Sequence, residues 1–585
     1  MLETLNKLLY NSKKRGYSIL HFFSIFSAIA TLGLTIYGFG FYLSIETMHW
    51  IFQGLDILFF TFVANYAIRW LYSFKRSAFI KRTWFELLLI LVVLLNFLLK
   101  NYYLFENERT FYKKYVVVYL IILSLFEFVK ISTRIHLARY KPSILFLSSF
   151  ILLIAGGTLL LMLPASTYGE ASMPFTDALF TATSASCATG LVVVDTSTFF
   201  TPKGQFFILF LIQMGGLGII TFATFFATLF SKGVGIKHHI MHDIYSTESL
   251  VSGKKLFRTI IFISLAIEFL FSIALFFTWG DAVKFNSLGE KIYYSVFHAI
   301  SAFCNAGFSL FSNGMHESLL RNAYLLHLVI AFAVILGGLG FPAIEDIFNI
   351  RKMRERLKYP WKDWQLSTKV SVYTSAGLIL FGMLVFYTLE LDNTLQGMNL
   401  MEALITSFFQ SVVARTAGFN TVDISHITEG AAFMLIFLMF IGASPASTGG
   451  GIKTSTFLII VLTAIATIRE KGKVEIGKRT IPKDIIFRAF SIFAFAITFN
   501  FICLFVLILV EPNKKFMDLA FEQVSAFGTV GLTKGITPFL SHIGKITIVF
   551  TMFVGRVGLL TLAWALSRSV ATTAYVYPNA HLTVG

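Results

Sequence analysis

Four short strips of small residues recur along this chain, and their chemistry is that of a site for a dehydrated monovalent cation. They read Ser184-Ala185-Ser186-Cys187-Ala188-Thr189-Gly190-Leu191, Ser301-Ala302-Phe303-Cys304-Asn305-Ala306-Gly307-Phe308, Ser411-Val412-Val413-Ala414-Arg415-Thr416-Ala417-Gly418-Phe419 and Ser525-Ala526-Phe527-Gly528-Thr529-Val530-Gly531-Leu532. An ion stripped of water needs several oxygen ligands, and a ring of main-chain carbonyls supplies them without a fixed charge that would trap it. Gly190, Gly307, Gly418 and Gly531 tolerate positive φ, which lets neighbouring carbonyls turn toward a common axis. The candidate ion-binding stretch in each strip is therefore Cys187, Ala188, Thr189 and Gly190; Cys304, Asn305, Ala306 and Gly307; Arg415, Thr416, Ala417 and Gly418; and Gly528, Thr529, Val530 and Gly531. Four tight turns, each with an incidental glycine, are the plain alternative. Four copies in matching context weigh against it, because non-helical backbone at membrane depth persists only where protein buries it or it lines a wet cavity.

A second mark follows each strip. Met214-Gly215-Gly216-Leu217-Gly218, Leu336-Gly337-Gly338-Leu339-Gly340, Ile441-Gly442-Ala443-Ser444-Pro445 and Val554-Gly555-Arg556-Val557-Gly558 overlay without a gap. Small residues there let helix backbones approach closely around an axis. Arg556 occupies the place of Gly216, Gly338 and Ala443; an intramembrane Arg is costly and is either paired or turned to a wet cavity. The expectation is a positive charge beside the ion path, the alternative an Arg held by a buried carboxylate or by carbonyl oxygens for packing alone. The third copy runs on through Ala446-Ser447-Thr448-Gly449-Gly450-Gly451-Ile452-Lys453-Thr454. Proline removes a donor and glycines are poor helix formers, so the helix is expected to open into a loop in mid-membrane. Ser444, Pro445, Ser447, Thr448, Gly449, Gly450, Gly451, Lys453 and Arg556 are the candidate gate. The loop ends like a phosphate-binding loop, but Ile452 stands where that motif requires Gly before Lys, and no strand precedes it.

The elements that must position these residues are membrane helices. The 585 residues are 56% hydrophobic and 14% charged, with mean hydropathy +0.75, which is the composition of an all-α polytopic membrane protein. The first apolar run, 17–45, is too long for a signal h-region and is expected to stay as a span. Residues 1–141 read as an N-terminal four-helix module, with apolar segments near 17–46, 50–73, 84–100 and 113–135. Parts of it look like a voltage-sensor bundle, but Asn65 stands where an acid is expected and Lys130, Arg134 and Arg139 are irregularly spaced, which favours a packing module. From 142 the chain divides into four helix, pore-loop, helix units around one pseudo-fourfold pore, at 142–236, 237–360, 361–482 and 483–575, with a tail at 576–585. Their outward helices are expected near 145–164, 256–279, 369–390 and 486–510. The short helices fall near 174–187, 289–303, 398–413 and 515–527, and the returning helices near 205–231, 323–350, 431–467 and 543–570.

The net charge of +17 sorts by membrane side and not as a nucleic-acid surface. Lys232, Lys237, Lys254, Lys255 and Arg258, then Arg351, Lys352, Arg354, Arg356 and Lys358, then Arg469, Lys471, Lys473, Lys478, Arg479 and Lys483 join successive units on the side of the N-terminus. The positive-inside rule makes that side cytoplasmic. The strips then face out among Glu170, Asp177, Asp195, Glu402, Asp423, Glu429, Glu511, Asp518 and Glu522, which would concentrate cations at the mouth. Cys187, Cys304 and Cys503 form no disulfide framework or Cys-x-x-Cys pair; Cys187 and Cys304 hold equivalent places, better explained as small residues that fit beside the strips than as a thiolate metal site. A membrane-embedded enzyme would need a catalytic cluster, and His298, His327 and His426 are scattered. Coupled transport would need intramembrane carboxylates, for which Glu268, Glu345 and Asp346 are the candidates.

With both repeated marks in view, residues 142–585 resemble the pore-forming subunit of the Trk/Ktr/HKT superfamily of potassium transporters. The resemblance rests on Thr181-Ala182-Thr183-Ser184, Arg415-Thr416-Ala417-Gly418-Phe419, the loop from Ser444 to Thr454, Gly528-Thr529-Val530-Gly531-Leu532, Gly555-Arg556-Val557-Gly558 and the tail from Tyr577 to Gly585. The four helices before 142 lie outside it or are a variant of the longer Trk type. The resemblance implies passive K⁺ uptake through one pore per chain, with K⁺ as the permeant ion and no organic cofactor. It also implies a homodimer in the plasma (bacterial inner) membrane with its N-terminus in the cytoplasm, a gate formed by the third-repeat loop and Arg556, and a cytoplasmic nucleotide-binding regulatory subunit of the TrkA/KtrA type. In this family a filter glycine in every repeat goes with K⁺ preference, so Gly190 favours K⁺ over a Na⁺ or mixed Na⁺/K⁺ conductance.

Overall fold

The computed structural model describes residues 2–72, 76–99, 120, 122, 142–169, 172–217, 253–280, 283–477 and 479–566. The chain forms two compact units, one carrying the N-terminal helices together with Leu163–Ser172 and the other the four repeats. In the first unit, α1 (Leu2–Gly40) packs on α2 (Ile45–Tyr72), which is followed by α3 (Arg76–Leu99), kinked at Thr83. Ala28, Ile51, Leu55, Phe59 and Phe62 form their core. Asn65 donates to the Leu20 carbonyl at 2.7 Å. Glu86 on α3 pairs in the interior with Arg69 of α2, an arrangement that leaves neither charge alone in an apolar setting. The fourth apolar segment apart from residues 120 and 122, with Lys130, Arg134 and Arg139, the 576–585 tail, Gly218 and the rest of the first returning helix, Lys232, Lys237, Glu170 and Lys478 lie outside the described residues.

In the second unit the outward helices are α4 (Pro142–Leu161), α7 (Gly253–Thr278), α12 (Leu366–Glu390) and α16 (Lys483–Val510). The short helices are α5 (Phe175–Ser186), α8 (Leu288–Phe303), α13 (Leu400–Val413) and α17 (Phe516–Gly528). Returning segments begin with α6 (Pro202–Gly216), α9 (Tyr324–Leu339), α14 (Glu429–Phe440) and α18 (His542–Val557). Each short helix packs on the returning helix of the repeat before it: α8 on α6, α13 on α9, α17 on α14, and α5 on α18. The fourth repeat thus meets the first and the set closes. Each short helix carries an acid in its first turn, Asp177, Glu290, Glu402 or Asp518, which complements the positive helix start. All four outward helices are long and apolar enough to span a membrane, as are the apolar stretches of α1 and α2.

The third returning helix breaks as expected, and the second and fourth depart from expectation. The third opens at Ile441 and resumes as α15 (Thr454–Ile468), as the Pro445 and triple-glycine composition requires. The second, expected as one helix to 350, stops at Gly340 (φ 87°) and bends by 105° into α10 (Phe341–Phe348), then continues as α11 (Ile350–Lys358). Its cause was present in the sequence as Gly340-Phe341-Pro342: glycine takes the positive φ and proline sits in the first turn of the new helix. The fourth breaks likewise at Gly558 (φ 85°) into α19 (Leu559–Leu566). A two-residue hairpin, β1 (Glu475–Ile476) and β2 (Arg479–Thr480), pairs Glu475 with Thr480 in the basic link between repeats three and four.

Buried carboxylates join outward to returning helices in repeats three and four. Glu390, at the end of α12, accepts from the Thr428 N–H and hydroxyl at the start of α14 at 2.8 Å, and from Asn393 and Thr394 at 2.8 Å. Glu511 accepts from the Ser541 N–H at 2.6 Å at the start of α18. Glu390→Ala should lower stability by roughly 1–3 kcal/mol, since it removes a buried carboxylate that accepts from Thr428, Asn393 and Thr394 at once. Thermal unfolding of the purified protein in detergent should show a clear fall in Tm, and an unchanged Tm would refute the bridging role.

Candidate functional site

The strips begin where the short helices end, and three of them end alike. Ala188 (φ 51°), Asn305 (φ 55°) and Thr529 (φ 50°) adopt the left-handed conformation. Thr189, Ala306 and Val530 N–H groups reach back to the Ser184, Ser301 and Ser525 carbonyls at 2.8, 2.8 and 2.9 Å. This is a Schellman cap, in which the last helical carbonyls are satisfied by the residues that leave the helix. A non-glycine residue in this conformation is strained and persists where its surroundings enforce it. The third strip has one residue more between its serine and its glycine. No left-handed residue stands there before Gly418; Ala417 and Gly418 N–H groups instead share the Val413 carbonyl at 2.9 and 3.4 Å.

Beyond these caps the four glycines meet. Gly190, Gly307, Gly418 and Gly531 all have positive φ, at 90°, 70°, 68° and 97°. A Cβ on Gly190 would meet the Ala306 carbonyl oxygen, one on Gly307 that of Ala417, one on Gly418 that of Val530, and one on Gly531 that of Thr189, in no case farther than 2.6 Å. The contacts run through the strips in order and return to the first, so the carbonyls of Thr189, Ala306, Ala417 and Val530 form one closed array. Among the described residues no backbone or side-chain donor reaches these four oxygens. The adjoining residues are buried. The serines opening the strips hold them in place: Gly190 N–H and Gly531 N–H donate to Ser184 and Ser525 Oγ, each at 3.1 Å, while Ser301 Oγ donates to the Phe308 carbonyl and Ser411 Oγ to that of Ile379, each at 2.7 Å.

Against this array lies the loop between α14 and α15. Thr448 donates from its N–H and hydroxyl to the Gly337 carbonyl at 3.3 and 3.0 Å, and Ser444 N–H donates to that of Gly338 at 3.0 Å. Gly450 N–H donates to Thr529 Oγ1 at 2.9 Å, and a Cβ on Gly449 would crowd the Thr416 side chain. Ala446 accepts from the Phe341 N–H at 3.1 Å, and Lys453 Nζ donates to the Gly449 carbonyl at 2.5 Å. Pro445 and Ser447 complete the loop, the Pro445 carbonyl against Gly340 and Ser447 Oγ donating to the Ser444 carbonyl at 2.6 Å. Arg556, 4% exposed, donates to the carbonyls of Thr448 and Gly215. Its partners are thus backbone oxygens, one of them on the loop itself, so the guanidinium fastens the loop to the first returning helix. Gly215, Gly337 and Gly555 lie so close to the carbonyls of Ser186, Phe303 and Phe527 that a side chain would displace the ends of the short helices.

Two pairings among or beside the strips carry no periodic sequence signal, although Asn305, Thr416, Cys304 and Glu268 were each named from the sequence. Asn305 and Thr416 stand 2.6 Å apart; with the Thr416 hydroxyl donating to the Asn305 oxygen, the carboxamide NH₂ also reaches the Ala302 and Val334 carbonyls. Gln213 donates to both oxygens of Glu268 at 3.0 Å, and the Cys304 thiol faces Gln213 at 3.8 Å. Of the histidines, His298 bonds to the Tyr294 carbonyl at 2.8 Å and to Ser309 at 3.1 Å, His327 packs on Tyr324 and Phe409, and His426 pairs with Asp423 at 3.0 Å; the three stand in separate settings. Five residues past their glycines, Asp195 and Asp423 cap Ser197 and Ser425. Burial opposes the charge of Asp195, but hydrogen bonds from Ser312, Ser197 and Thr198 outweigh it and hold the carboxyl below its usual pKa. Burial likewise opposes that of Asp423, and Ser425 and His426 outweigh it. Both stay ionised at neutral pH.

Comparison with known proteins places this architecture. Residues 111–572 match the TrkH cation transport protein family; the match starts before residue 142 and stops short of the tail. The chain is 37% identical over 450 residues to Ktr system potassium uptake protein B of Bacillus subtilis, covering 76% of this chain and 97% of that one. It is 34% identical over 459 residues to the potassium/sodium uptake protein NtpJ of Enterococcus hirae, covering 76% and 98%. The crystal structure of the potassium transporter TrkH from Vibrio parahaemolyticus shares the fold, with TM-score 0.59 and 19% identity over 82% of this chain and 97% of that one.

The contacts of Arg556 generate a direct expectation. Arg556→Ala should release Thr448 and raise monovalent cation flux through vesicles containing the purified chain by about tenfold, the equivalent of one lost charge-assisted hydrogen bond. Flux that falls or stays level would show that Arg556 does not hold the loop in place.

Proposed function

The chain belongs to the TrkH family of cation transport proteins, and we propose that it takes up K⁺ across the cell membrane through the closed array of strip carbonyls. It is a multi-pass transport protein and not an enzyme. The observation that carries the reading is the ring of glycine-to-carbonyl contacts joining Gly190, Gly307, Gly418 and Gly531. Such a ring presents oxygens to an ion from all four repeats, and the C-terminal ends of four short helices add the partial negative charge that favours a cation. Cys187 to Gly190, Cys304 to Gly307, Arg415 to Gly418 and Gly528 to Gly531 form the filter in this reading. The Ser444–Lys453 loop, clamped by Arg556, closes the path beside it.

The basic links between repeats put the N-terminus and the loop side in the cytoplasm, with Asp195 and Asp423 at the outer mouth attracting cations. The chain works as a homodimer, and a nucleotide-binding regulatory subunit on the cytoplasmic side moves the loop. A mixed K⁺/Na⁺ conductance is the second reading, favoured by the likeness to NtpJ, whose name includes both ions.

Uptake of Rb⁺ into vesicles holding only this chain, with Na⁺ as competitor, separates the two. The K⁺ reading expects Rb⁺ uptake that resists a tenfold excess of Na⁺. It also expects Gly190→Ser, which puts a side chain against the Ala306 carbonyl, to relax that resistance by an order of magnitude. Equal competition by Na⁺ in the parent would favour the mixed conductance, and unaltered selectivity in the variant would overturn the filter assignment.

A further inference from the structure

The short helix α11, between the bent second returning segment and the next outward helix, has a face that the protein does not cover. Ile350, Met353 and Leu357 lie on one stripe at helical spacing and are 61%, 47% and 80% exposed, with Phe348 and Trp361 exposed at either end. The opposite face is fixed. Arg356 donates to the Asp346 carbonyl and to its carboxylate, each at 2.6 Å, Lys352 lies 3.4 Å from the same carboxylate, and the Gln365 N–H donates to its other oxygen at 2.9 Å. These bonds set the rotation of α11, so the apolar stripe points outward by construction.

The surroundings of the stripe identify its occupant. Arg351, Arg354 and Lys358 flank it on one side as exposed cations. Lys358 and Lys362 both approach the Tyr359 ring, at 5.4 and 5.6 Å, and Trp361 packs on Tyr359 at 5.2 Å between centroids. An apolar stripe bordered by basic residues, with Tyr and Trp beside snorkelling lysines, is the composition of a helix lying at a lipid headgroup boundary. The chain on both sides of α11 leads into apolar helices, so the bilayer surface is within reach. Basic side chains gain about 1 kcal/mol each near an anionic leaflet, whereas a soluble regulatory protein offers no comparable reason for an exposed apolar stripe beside membrane anchors.

We propose that α11, with Tyr359 and Trp361, is an interfacial helix docked on the anionic leaflet opposite the outer mouth, and that this docking steadies the loop. The link is short. Asp346 ties α11 to α10; Gly340 caps the start of α10, and its backbone abuts the Pro445 carbonyl; and the next residue, Phe341, donates its N–H to the Ala446 carbonyl at 3.1 Å. The link to gating rests on the loop being the gate; the docking itself does not. Anionic lipid thereby becomes a regulator of flux.

The test uses the full chain in vesicles, with a nitroxide label on Ile350→Cys, Leu357→Cys or Glu355→Cys. Cys187, Cys304 and Cys503 are buried, and the unsubstituted protein shows the labelling background. In phosphatidylglycerol-containing vesicles, labels at 350 and 357 should collide more with oxygen than with a water-soluble nickel chelate, and the label at 355 the reverse; in pure phosphatidylcholine the difference should shrink. Nickel-dominated collisions at 350 and 357 would overturn the docking, as would protection from both reagents, which would place a second copy or another protein on the stripe. Joint replacement Arg351→Glu, Arg354→Glu and Lys358→Glu should raise Rb⁺ flux at least about fivefold in anionic vesicles and leave it unchanged in neutral ones. Equal flux in both, with the label pattern intact, would refute the regulatory link, and absence of flux in the parent would bear on the transport reading alone.

Discussion

Each of four glycines in this protein lies against the carbonyl of the next strip with no room for a single methyl group, and the last contact returns to the first. That closure is the constraint from which the remaining geometry follows. Among the described residues no protein donor reaches these four carbonyls, and the repeats bring them to one place. Oxygens gathered in this way are suited to replace the hydration shell of a cation. Holding the array requires each short helix to stop at a defined residue. Strained left-handed caps at Ala188, Asn305 and Thr529 do this in three repeats, and an extra residue does it differently in the third.

The loop from Ser444 to Lys453 takes its hydrogen bonds from several repeats. Gly337 and Gly338 belong to the second, Thr529 and Arg556 to the fourth, and Arg556 reaches on to Gly215 of the first. With no regular secondary structure of its own, the loop is held by bonds worth about 1 kcal/mol each, somewhat more where the guanidinium takes part. A total of a few kcal/mol lies within what a regulatory ligand shifts through differential binding. The Gly340 hinge and α10 meet the same loop from the side, so forces applied outside the membrane have a route to it that bypasses the ion path.

Much of this was legible in the sequence because fourfold repetition averages out local ambiguity. The strips, the second glycine mark and the break at Pro445 stood out by composition, and the bounds of the outward and short helices followed to within a few residues. Other features were less visible. The breaks at Gly340 and Gly558 read as part of the close-packing mark, since a glycine needed for contact and one needed for positive φ look the same in one sequence. Asn65 drew notice for lacking a charge, while an ion pair of the bundle, Arg69 with Glu86, spans two helices and has no local pattern. Asn305 with Thr416, and Gln213 with Glu268, meet only after the repeats are assembled. Arg556 was legible as an intramembrane charge, but its carbonyl partners depend on where the third-repeat loop settles.

The most direct measurement is the anomalous scattering of Rb⁺ in crystals of the full chain. The account predicts a peak on the axis of the repeats, about 3 Å from the carbonyl oxygens of Thr189, Ala306, Ala417 and Val530, within the coordination distance of a large dehydrated cation held by backbone carbonyls. Rb⁺ bound elsewhere, on Glu268 or on the mouth carboxylates, with no density at those four oxygens, would contradict it.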